Sequence, residues 1–156
     1  MVAFTLFHVA ISLVGIFTGF GVTLGLLQSR RMDATTAIFL VTTAATSVTG
    51  FLFPVHHVMP SHIVGIISVV VLTLAAYARY QRGLAGAWRW IYASGAVFSF
   101  YLNFFVLIAQ AFAKIPALKA LAPTQSEPPF AIVQGVVLIA FAVVGVMATV
   151  RFRPAS

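Results

Sequence analysis

The chain has no cysteine, and among its 156 residues only Asp33 and Glu127 are acidic. The first absence excludes disulfides, thiolate metal sites and thiol redox chemistry, so a bound metal would have to rely on His, Met, carboxylate or backbone ligands. The second excludes a pair of intramembrane carboxylates. A Gly-rich phosphate loop, a GxSxG elbow and a Ser/His/Asp set are also missing, which leaves hydrolytic catalysis unsupported. Without inverted repeats, interrupted helices or midplane carboxylates, a charge-coupled transporter is disfavoured too. Charged residues of either sign make up 7% of the chain, against about a quarter in soluble globular domains.

Apolar residues are abundant: 62% of the chain is hydrophobic and its mean hydropathy is +1.08. A membrane-crossing helix needs roughly 20 mostly apolar residues to traverse about 30 Å of hydrocarbon. Five stretches qualify, at about 3–27, 35–53, 62–79, 89–113 and 130–150. They are separated by "QSRRMD", "PVHHVMPS", "RYQRGLAGA" and "KIPALKALAPTQSEPP", segments rich in the Gly, Pro and charge that punctuate helices. Lipid offers no hydrogen-bond partner, so each span must satisfy its own backbone as a helix. The sequence therefore predicts an all-α, polytopic bundle of five transmembrane helices, a single integral membrane domain over residues 1–156. The opening "MVAFTLFHVAISLVGIFTGF" lacks a basic n-region and a small-residue cleavage site, so the first apolar segment is expected to be retained.

Arginine placement orients the bundle. Arg30, Arg31, Arg79, Arg82, Arg89, Arg151 and Arg153 follow span 1, separate spans 3 and 4, or follow span 5, all on one side. By the positive-inside rule that side is cytoplasmic, with the N-terminus out and the C-terminus in, as expected for the cytoplasmic (inner) membrane of a bacterium. Tyr77, Tyr80, Trp88, Trp90 and Tyr92 are expected to form an aromatic belt there. Asp33, beside Arg30 and Arg31, reads as the N-cap of span 2. The net charge of +7 is explained by arginines facing anionic membrane lipids, and no nucleic-acid partner is expected.

With that topology all four histidines meet at the outer end. The stretch "FPVHHVMPSH", residues 53–62, carries His56, His57 and His62 with Met59, while His8 lies just inside span 1. Asn103 and Gln110 share one face in the outer half of span 4. Glu127 and Gln134 share one face at the start of span 5, and Thr42, Thr46 and Thr49 form a hydroxyl stripe leading to the histidine loop. The inner half is expected to hold little comparable polarity. Polar groups in a span turn toward the bundle interior, so these residues point to an outer polar pocket.

Three chemistries suit such a pocket. A transition metal (Cu, Fe or Zn) would take His8, His62 and His56 or His57, with Met59 or Glu127 as supplementary ligands. A b-type haem would take one histidine from each of two helices, best His8 and His62, with Gly15 and Gly65 smoothing the faces around a flat macrocycle. Quinone or lipid would instead be held by hydrogen bonds from His, Glu127, Asn103 and Gln110, without metal, in an accessory or scaffold subunit. Metal or haem binding for redox or metal-handling work is the leading expectation. So little mass outside the membrane argues against an autonomous enzyme and for a larger membrane-protein partner or a homo-oligomer. The small-xxx-small pairs Gly15/Gly19 and Gly21/Gly25 read as helix-packing positions.

Overall fold

The computed structural model describes residues 1–54 and 60–155, and among these it contains helices and no strand. The helices are α1 (Val2–Leu27), α2 (Asp33–Phe51), α3 (Pro60–Ala76), α4 (Trp88–Lys114), α5 (Pro116–Leu121) and α6 (Pro128–Arg151). A π-helical turn over Tyr77–Gln81 extends α3. Five of these are long and apolar enough to cross a membrane: α1, α2, α3 with its π turn, α4 and α6. At 1.5 Å per residue the 19-residue α2 is roughly 28 Å long, close to the hydrocarbon thickness, and the others are longer.

The boundaries follow local chemistry. Pro116, Pro128 and Pro129 occupy first-turn positions of α5 and α6, where a missing N–H costs nothing. After α1, Ser29 takes a left-handed φ of 59°; its N–H bonds Leu26 O at 3.2 Å and the Arg30 N–H bonds Gly25 O at 2.7 Å, the paired closure of a Schellman turn. Met32, also left-handed at φ 47°, is the N-cap of α2. Asp33 is thus the first helical residue, not the cap, and its carboxylate is used elsewhere. The short α5 lies in a segment that sequence alone reads only as a break.

α1 packs against α2, α4 and α6; α2 against α3; α3 against α4; and α4 against α6. Glycines set the closest approaches. A Cβ at Gly19 would sit 2.5 Å from Phe100 Cδ2, and one at Gly15 would sit 3.2 Å from Thr43 Oγ1. The small-xxx-small positions therefore serve packing within the bundle. Phe100 anchors a ring cluster with Phe20 (4.9 Å between centroids) and Phe141 (5.0 Å). The outer surface is apolar: Phe17 is 73% exposed and Ile139 66%. Such a surface is stable against lipid and costly against water.

The chain ends lie at opposite ends of the bundle, one rich in histidine and the other in arginine. The arginine-rich end is more polar inside than the sequence suggested. Arg79, 2% exposed, turns inward from the π turn. Its Nη2 donates to Arg31 O at 2.9 Å and to the Asp33 carboxylate, and its guanidinium carbon lies 5.1 Å from the centre of the Tyr92 ring. Tyr92 is 1% exposed, reaches Thr36 Oγ1 at 3.4 Å and packs on Phe152. It belongs to the core and not to the expected aromatic belt, whereas Tyr77, Tyr80 and Trp90 are exposed. A guanidinium beneath the rim needs a carboxylate and an aromatic face to offset its lost hydration.

Candidate functional site

At the histidine-rich end a cavity of about 680 Å³ opens between α1, α2, α3 and α4. His8 forms part of the α1 wall. Its ring lies edge-on to Phe53 at 5.1 Å, and Nδ1 is 2.7 Å from Thr49 Oγ1. The Thr49 hydroxyl has one proton, and Ala45 O, 2.7 Å away one turn earlier, is the acceptor a helical threonine normally uses. Thr49 therefore accepts from the Nδ1–H of His8. Ser12, whose hydroxyl donates to His8 O at 2.6 Å, lines the same wall.

His62 approaches from α3. It is the third residue of that helix, its ring stacks on Phe51 with centroids 6.0 Å apart, and it lines the same cavity as His8. α4 supplies Asn103, Gln110 and Lys114, which lie along one face at intervals of seven and four residues. Asn103 Nδ2 donates to Thr43 Oγ1 at 3.1 Å, tying α4 to α2. Ser47 and Ser68, 3.2 Å apart, join α2 to α3 across the cavity wall. Thr46 also lines the cavity, with its hydroxyl turned back to Thr42 O at 2.8 Å. Leu102, Val106, Leu107 and Ile16 make the remaining surface apolar.

Among the residues singled out from the sequence, His8, His62, Asn103, Gln110 and Thr46 thus share one cavity, and Thr49 stands behind His8. His56, His57 and Met59 lie outside the described residues. Two others lie away from the cavity. Gln134 is buried against α4 and donates to Phe105 O at 3.1 Å. Glu127 closes its own loop, accepting from Thr124 Oγ1 at 2.8 Å, from Thr124 N at 3.2 Å and from Ser126 N at 3.1 Å. The Thr124 hydroxyl, helped by these backbone N–H groups, holds the Glu127 carboxyl below the usual carboxylate range.

The glycine faces expected to admit a flat macrocycle are already covered. Thr42, Thr43 and Asn103 pack over Gly15, and the Phe51 ring packs over Gly65. Among the described residues no group of three or more His, Cys, Asp or Glu side chains is placed to hold a metal ion. Lys114 was not singled out from the sequence, although its spacing of four from Gln110 and eleven from Asn103 was an available signal. Ser12, Ser47 and Ser68 carried no such signal, because each becomes a lining residue only when the helices come together. No known protein-family model, curated protein or solved structure matches the chain.

Proposed function

We propose that this is a multi-pass protein of the bacterial cytoplasmic membrane, N-terminus out and C-terminus in, whose outer-leaflet cavity binds an amphipathic small molecule of the quinone or lipid class. It acts as an accessory or scaffold subunit beside a larger membrane partner. The observation that carries this reading is the division of the cavity. His8, His62 and Gln110 supply hydrogen-bonding groups around it, while Leu102, Val106 and Ile16 offer apolar walls to a tail. Its volume of about 680 Å³ falls in the roughly 300–1,000 Å³ range of sites that bury a drug-sized ligand. Mass spectrometry of organic extracts from the purified protein tests the reading. A stoichiometric quinone or single lipid species, lost from a Val106→Trp protein that still elutes as a folded particle, is expected. Extracts with no enriched species from either protein overturn it.

A second reading, a b-type haem or a Cu, Fe or Zn centre, is favoured by two imidazoles from different helices, His8 and His62, lining one cavity. His8 and His62, with His56 or His57, would hold such a group, which as haem, Cu or Fe would supply one-electron chemistry. Two imidazoles with no third His, Cys, Asp or Glu donor among the described residues are enough for axial haem ligands but fall short of a closed Zn site. A visible spectrum before and after dithionite, together with elemental analysis, selects between the readings. A Soret band that shifts on reduction, or stoichiometric metal, replaces the first reading by the second.

A further inference from the structure

We infer that the ligand of the outer cavity is an anionic amphiphile, with a carboxylate or phosphate head on a single apolar tail, and that Lys114 selects it. This rests on the cavity-binding reading above and narrows it.

Among the described residues, no carboxylate lines the cavity, whereas one ammonium, two imidazoles, two side-chain amides and several hydroxyls do. The acidic side chains that could neutralise Lys114 are committed elsewhere. Asp33 pairs with Arg79 and Arg31, and Glu127 is held by Thr124 and Ser126. The ion pairs among the described residues are both at Asp33, so Lys114 faces the cavity without a counter-charge. A lysine at the last residue of α4 also complements the helix dipole, and this alone would leave ligand choice unaffected.

Depth places the head. The Asn103–Thr43 and His8–Thr49 bonds give two levels on α2, six residues or roughly 9 Å apart. Lys114 lies eleven residues, roughly 16 Å, beyond Asn103, and so about 7 Å nearer the rim than His8. The charged head belongs at the rim, with Lys114 and the Gln110 amide, and the tail runs down past Val106 and Leu102. An ion-paired hydrogen bond of this kind, at an exposed rim, is worth about tenfold in affinity.

The test holds the tail constant and varies the head. Palmitate, hexadecyl phosphate and uncharged hexadecanol are titrated against the full-length protein in a neutral maltoside detergent, and the affinity ratio of each anion to the alcohol is read. A ratio of about ten or more for at least one anion is expected, with collapse of that ratio toward one in Lys114→Gln and its retention in Lys114→Arg. Preference for palmitate alone identifies a carboxylate ligand, and for hexadecyl phosphate alone a phosphate ligand. Equal binding of all three overturns the inference and leaves the cavity reading standing; binding of none overturns both. An anion preference that persists in Lys114→Gln also overturns the inference, since the selecting charge would lie elsewhere.

Discussion

Replacing Asp33 by asparagine isolates what holds the arginine-rich end together. The Arg79 guanidinium is buried while its carboxylate partner is 75% exposed, so the change removes charge from the wet side and leaves a buried cation on the dry side. After the substitution Arg79 keeps Arg31 O and the Tyr92 face, while Nε and Nη1, already without a partner among the described residues, gain nothing. Removing one member of a fully buried pair costs about 3–5 kcal/mol. Exposure of Asp33 screens its share of the attraction and brings the expected loss to about 1–3 kcal/mol. For a chain of this length each kcal/mol is worth roughly 2–4 °C, which predicts a drop of about 2–12 °C in melting temperature, read by tryptophan fluorescence in detergent. Arg79→Met removes the buried charge while keeping an aliphatic stem to fill the space, and should cost less than Asp33→Asn. A D33N protein that melts with the wild type, or an R79M protein that melts well below D33N, refutes the argument that an uncompensated buried charge is the penalty.

Gly19→Val should destabilise the bundle by about 1–3 kcal/mol, since the new Cβ overlaps the Phe100 ring, whereas Gly135→Ala, with nothing within 4 Å of the added methyl, should be neutral or stabilising by up to about 1 kcal/mol; paired thermal melts compare them. Thr49→Val removes the acceptor of the His8 Nδ1–H and should cost about 0.5–1.5 kcal/mol, while Thr49→Ser keeps the bond; the chemical shifts of ¹⁵N-labelled His8 should report a changed tautomer balance in the first variant alone. Glu127 has its carboxyl pKa depressed in the folded protein, so its contribution is full above the ordinary carboxylate value and is lost as pH falls through the folded value. Melting temperature should therefore fall on acidification below the ordinary range, and Glu127→Gln should flatten that fall; parallel slopes for the two proteins would exclude the loop closure as its source.

Much of the fold is legible because the bilayer imposes a one-dimensional rule. Length and apolarity alone mark a span, and the ends of α1, α4 and α6 fall within two residues of the expected limits. Helix starts were displaced where proline opens a turn, as at Pro60 and Pro128, and α5 was missed because six residues carry no periodic signal. The site was partly legible: His8, His62, Asn103 and Gln110 do meet at one cavity. Gln134 and Glu127 do not, because helical spacing says which residues share a face but not which neighbour that face meets. Gln134 meets the α4 backbone, and Glu127 meets its own loop.

The order of residues was sufficient to establish the five membrane-length helices and which end of each lies with the histidines, since those follow from hydropathy and from counting crossings. It could not tell an arginine at the membrane boundary from one inside it. Arg79 and Arg82 stand three residues apart in the same polar break, and only a π turn packed against Tyr92 and Asp33 carries the first into the core. The cavity has the same origin: its donors come from four helices, and the lack of a carboxylate among the described residues that line it with Lys114 exists only once those helices are side by side. Hydrophobic patterning is local along the chain, whereas pairing of charge is settled by distance in space.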